Sequence, residues 1–110
     1  MLEPLTNREY AYLFVSGGKN HESVSSALAL APSEAWNVGD TDPRRGRARK
    51  NVGWRLDSGL DDKQPLEQHI QSLLTVLSTR REALRELWEE WDLIIQCVGY
   101  YPAAGHGALQ

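Results

Sequence analysis

The run Tyr10–Ser16 reads Tyr-Ala-Tyr-Leu-Phe-Val-Ser, and neither of its faces is polar. At a period of two, Ala11, Leu13 and Val15 fall on one side and Tyr10, Tyr12 and Phe14 on the other. A strand that is apolar or aromatic on both faces belongs in the middle of a sheet, and Gly17-Gly18 ends it. Other strands must flank it. Val52–Ser58 alternates Val52, Trp54 and Leu56 with Gly53, Arg55 and Asp57, a half-buried strand pattern. Glu34–Val38, around Trp36, is its hairpin mate, across a long loop from Gly39 to Asn51. Leu93–Tyr101 is the last strand, with Leu93, Ile95 and Cys97 opposite Ile94, Val98 and Tyr100.

Helices fill the gaps. Asn20 is a good N-cap for a helix over His21–Leu30, with a stripe of Val24, Ala27, Leu28 and Ala31, and Pro32 disfavours helical geometry at Ala31. From Pro65 to Trp91 the period becomes helical. Leu66, Ile70, Leu73, Leu74 and Leu77 share a face that Leu84, Leu87, Trp88 and Trp91 continue. Thr79-x-x-Glu82 matches a capping box, so the spacing predicts two helices meeting near Ser78, with one kinked helix as the alternative and Pro65 in the first turn. Strand, helix, hairpin, helix pair, strand is the order of an α+β, ferredoxin-like split βαβ sandwich, with helices on one face of an antiparallel sheet.

Length and composition agree with one domain over 1–110, comprising a lead-in at 1–9, the long basic loop at 39–51 and a C-terminal loop at 102–110. The 110 residues are 41% apolar, enough to close a single core. No apolar run approaches the ~20 residues of a membrane span, and the first residues show no signal-peptide pattern. Cys97 is the only cysteine, so no internal disulfide forms, which fits a cytoplasmic protein.

Charge is unevenly spread. Arg44-Arg45-Gly46-Arg47-Ala48-Arg49-Lys50 holds five of the twelve basic residues and no acid, leaving seven basic against fifteen acidic residues, a net of −8, elsewhere. An acidic body with one basic loop argues against a duplex-DNA binder, whose whole face is basic. The loop is either a local anion site or a neutraliser of acids such as Glu89, Glu90 and Asp92 at the end of the last helix.

Other chemistry fails on spacing. Gly17-Gly18-Lys19 lies between strand and helix, but Leu13 stands where a P-loop needs its first Gly and Asn20 follows the Lys. Asp40-x-Asp42 opens like a calcium loop, yet Arg45 and Asn51 occupy the positions of its Gly and Glu. His21, His69 and His106 have no short ligand spacing; His69 reads as helix surface and Cys97 as a small core group. Neither a metal nor another cofactor is called for, and no nucleophile–base pair stands out.

The segments Tyr12–Gly17, Leu30–Asp40 and Gly53–Leu56, with Leu66–Ile70 and Arg80–Leu84, resemble a bacterial family known as domain of unknown function family 4279. The Trp36-x-x-Gly39-Asp40 turn and the Gly53-Trp54-Arg55 strand are its most specific parts. Members of that family usually continue with a further helix and strand, so the resemblance implies that this C-terminal unit is absent here or that the chain is truncated. It implies no catalytic residues.

The sequence therefore points to a non-enzymatic binding module that engages an anionic partner through Trp36, Asp40, Arg44, Arg45, Arg47, Arg49, Lys50, Trp54 and Arg55. In it, aromatic rings stack on a planar group while guanidinium groups hold phosphate. Trp54 also fits the core, beside Val52 and Leu56, and Trp36 fits either place. The alternative is an acidic immunity-type inhibitor that meets a basic target with Glu82, Glu86, Glu89, Glu90 and Asp92. A homodimer is expected too, because Tyr10, Tyr12, Phe14 and Tyr100 would share an open sheet face on adjacent central strands. The competing cover for that face is Pro102–Gln110 folded back.

Overall fold

The doubly apolar run does lie inside a sheet. The computed structural model describes residues 7–101. In chain order it contains β1 (Arg8–Gly17), α1 (His21–Leu28), β2 (Glu34–Trp36), β3 (Thr41–Asp42), β4 (Arg47–Ala48), β5 (Val52–Asp57), α2 (Leu66–Leu77), a 3-10 turn (Ser78–Arg80), α3 (Arg81–Trp88) and β6 (Asp92–Tyr100). The main sheet has the order β2-β5-β1-β6. Every pairing in it is antiparallel, from Tyr12↔Asp57 to Gly17↔Val52 on one side of β1 and from Arg8↔Tyr100 to Ser16↔Asp92 on the other. β1 and β2 are thus separated by β5, which is the split βαβ arrangement. β1 begins at Arg8, so the lead-in is shorter than 1–9.

Alternation along β1 divides the faces. Ala11, Leu13 and Val15 are buried toward the helices with Val52 and Trp54 of β5. Val24 and Leu28 of α1, Leu77 of α2, and Leu87 and Trp91 close the core. Trp54 is completely buried, and its indole N–H donates to Ser25 Oγ at 2.9 Å.

Several local expectations are corrected. α1 ends at Leu28, two residues before the expected Leu30, with Ala29 capping it in the left-handed region (φ 54°), and the amides of Ala29 and Leu30 both reach the Ser25 carbonyl. The two helices do meet near Ser78, but no capping box forms: Thr79 Oγ1 donates to the Val76 carbonyl, and Arg80 precedes α3 without a side-chain cap. Pro65 is the N-cap of α2, not its first helical residue. The buried stripe of α2 is His69, Leu73 and Leu77, rotated away from the purely apolar one, and Leu74 is exposed. His69 is therefore no surface residue; its Nδ1 meets Ser58 Oγ at 2.5 Å. Trp88 points outward, and Cys97 is exposed on β6 rather than packed in the core. Among the described residues β6 is an edge strand, so Tyr100 does not sit on a central one. The loop 102–110 and His106 lie outside the described residues. No helix among the described residues is long and apolar enough to cross a membrane.

Candidate functional site on the open sheet face

The long loop is itself folded. β3 and β4 form a two-stranded ladder, Thr41↔Ala48 and Asp42↔Arg47, so residues 39–51 make a small second sheet. Its entry is the Trp36-x-x-Gly39-Asp40 turn. Asp40 Oδ2 accepts from the Asn37 amide at 2.8 Å, and Gly39 takes φ 92°, which a side chain would resist. The Gly39 amide then donates to the Arg49 carbonyl, and the Arg49 amide to that of Asp40, at 2.9 and 2.7 Å. Asn37 ties the turn to α1 by accepting from the His21 amide and donating to Glu22, which lowers the Glu22 carboxyl below its ordinary range. Asp40 is thus a turn-former, and its carboxylate is committed to the backbone.

These bonds return Arg49 onto Trp36. Its guanidinium lies 3.8 Å from the indole centroid, and Trp36 meets Phe14 of β1 at 5.9 Å. Trp36 lies flat because its cross-strand neighbour is Gly53: a Cβ there would be 2.2 Å from the indole. Glycine beneath an aromatic ring leaves room for it to cover the sheet, which accounts for two of the most specific sequence features together. Beside this pair, Arg55 lies 3.7 Å over the Tyr12 ring and is held by Asp57 at 2.7 Å. Tyr10, Tyr12 and Tyr100 continue the row at 6.2 and 6.5 Å, and burial, with Tyr100 adding to it, pushes the Tyr10 phenol up. The open face is a strip of rings and guanidinium planes.

Asp42 anchors the hairpin. It is buried, accepts from the Arg44 amide at 2.9 Å, and faces Arg49 at 3.6 Å and Arg45 at 3.9 Å. The Arg44 amide first, and then Arg49, hold its carboxyl below the ordinary range against its desolvation. Two recesses, of about 240 and 390 Å³, flank the Trp36–Arg49 stack. Arg45 and Arg49 line both; Arg44 and Arg55 front the first, Arg47 and Lys50 the second. The buried Nε–H of Arg49 has no acceptor among the described residues.

The structure brings together Trp36, Arg44, Arg45, Arg47, Arg49, Lys50 and Arg55. It removes Trp54, which fills the core on the opposite face of β5. Sequence reasoning did not assign Tyr12, Phe14 and Asp42 to this site, although the period-two faces of β1 already put Tyr12 and Phe14 beside Arg55. Among the described residues no group of His, Cys, Asp and Glu could hold a metal ion. The basic hairpin does not serve the acidic end of α3 either. Glu90 there is paired with Lys19 at 2.8 Å, whereas the hairpin's own ion pairs go to Asp42.

The sequence model of the family described as "Domain of unknown function (DUF4279)" matches residues 7–107. No curated protein and no solved structure matches the chain.

Proposed function

We propose, for a chain that belongs to the DUF4279 family over nearly its whole length, that it is a non-enzymatic binding module whose open sheet face takes an anionic ligand carrying a planar group. The observation that supports this reading most is the course of the basic hairpin. It folds over the aromatic strip, stacks Arg49 on Trp36, and leaves Arg44, Arg47 and Lys50 without an ion pair among the described residues. Guanidinium planes beside rings provide stacking surface, while the three unpaired cations supply phosphate contacts. Single-stranded nucleic acid combines the two features. An exposed single cysteine is consistent with a reducing, cytoplasmic setting.

The test is anisotropy of a fluorescein-labelled single-stranded oligonucleotide, with inorganic tripolyphosphate as a competitor that lacks rings. Changing Arg44, Arg47 and Lys50 together to Gln is expected to weaken oligonucleotide binding at least about tenfold and flatten the salt dependence by about 0.7 in the log–log slope per lost phosphate contact. The melting temperature should hardly move, because these three side chains hold nothing in the fold. Arg49 and Arg45 are left in place because they brace Asp42. Unchanged affinity in the triple variant would refute the reading. The inhibitor alternative keeps Glu82, Glu86, Glu89 and Asp92 exposed on and beside α3 but has Glu90 occupied by Lys19.

A further inference from the structure

A further concavity lies away from the basic hairpin. It is an open apolar groove of about 610 Å³ between the helix layer and β6, lined by Leu74, Leu77, Leu84, Trp88, Leu93 and Ile95, among others. Trp88 is 68% exposed and Ile94 51%, and Leu74, Ile95 and Tyr100 are exposed as well. Together these five side chains offer on the order of 500 Å² of accessible surface.

The groove borders a bare sheet edge. β6 pairs with β1 along one side, and along its other side no strand is paired among the described residues. Edge strands are normally short, charged, interrupted by proline or bulged. β6 is nine residues long, has no proline, and carries one charge, Asp92, at its very start. The opposite edge, β2, follows the usual protection: it is three residues long and opens on Glu34.

We propose that this edge is the contact between two copies of the chain, which pair antiparallel through β6 and join their four-stranded sheets into one of eight strands. A strand related to itself by a twofold axis is its own antiparallel complement. About Gln96, the midpoint of β6, Leu93 faces the partner's Gly99, Ile94 the partner's Val98, and Ile95 the partner's Cys97. Asp92 then faces the partner's Tyr100, so no like charges meet. This register keeps each face on its own side, so the two helix layers lie together and the two grooves adjoin across the axis. Pairing of the two nine-residue edges, with Leu74, Trp88 and Ile95 of each copy on the adjoining grooves, approaches the ~1,000 Å² at which specific interfaces begin. This interface leaves the basic hairpin, at the other end of the strand order, free.

Sedimentation at tens of micromolar is expected to give twice the 12.4 kDa chain mass. Cys97 and the partner's Cys97 become diagonal neighbours at about 7–8 Å, so a short bis-maleimide should convert the wild-type protein to a covalent dimer. Ile95→Lys, at an exposed position, should sediment as a monomer with an unchanged circular dichroism spectrum and should still bind the oligonucleotide. Loss of the dimer and loss of ligand binding are therefore separate results. A monomer throughout that range, a dimer that resists the cross-linker, or a dimer that survives Ile95→Lys would overturn the proposal.

Discussion

Gly53 shows how much of the site depends on a missing side chain. Its Cα faces that of Trp36 across the β2–β5 pair, and the indole occupies the space a Cβ would take. Gly53→Ala is expected to lift Trp36 off the sheet, since backbone and ring cannot both stay in place, at a cost of about 1–3 kcal/mol as for other overpacked positions. Arg49 loses its stacking partner with it. Thermal melts and oligonucleotide affinity should therefore fall together, and an alanine variant that melts and binds like wild type would show that Trp36 is not held this way. Arg49 and Arg55 lie equally close to their rings, at 3.8 and 3.7 Å, but their tethers differ. Arg55 is fixed by Asp57 within its own strand, whereas Arg49 is fixed by the hairpin.

The hairpin's order follows from Asp42, and it carries a pH dependence. Because the Asp42 carboxyl titrates lower in the folded chain than in the unfolded one, its ionised form favours the folded hairpin at neutral pH. That contribution is lost as pH falls through the depressed value, below the usual 3.8. Amide exchange at Arg44–Gly46 is expected to gain speed relative to the core below that point, before global acid unfolding; uniform protection down to global unfolding would show that Asp42 does not hold the turn. Legibility also differed between elements. The four main strands and the split order were readable because β1 is apolar on both faces and the period changes cleanly at Pro65. The boundary details were not, because Ala29 takes a left-handed cap that alanine does not advertise and because Thr79 bonds backward to Val76. His69 and Cys97 exchanged expected places for tertiary reasons: Ser58 supplies a partner for the buried histidine, and Cys97 lies on the edge strand β6, exposed among the described residues. The nine basic-loop and tryptophan candidates were legible as a cluster, but only the pairing register separates Trp36 on the open face from Trp54 in the core.

At the scale of the whole molecule, the two faces of the sheet have different tasks. One packs the core under α1, α2 and α3; the other carries rings and arginines under a basic hairpin, and β6 leaves an apolar edge at the far side. The remainder of the chain carries a net −8, so the hairpin, with five basic residues and no free acid beside them, is the place where an anion is most favoured. Amide mapping by NMR during titration with the single-stranded oligonucleotide tests this most directly. The largest shifts should fall on the amides of Arg44, Arg47 and Lys50 and on the Trp36 indole N–H, with Tyr12 following and α3 unmoved. Shifts confined to α3, or none at millimolar oligonucleotide, would contradict the assignment of this face as the binding site.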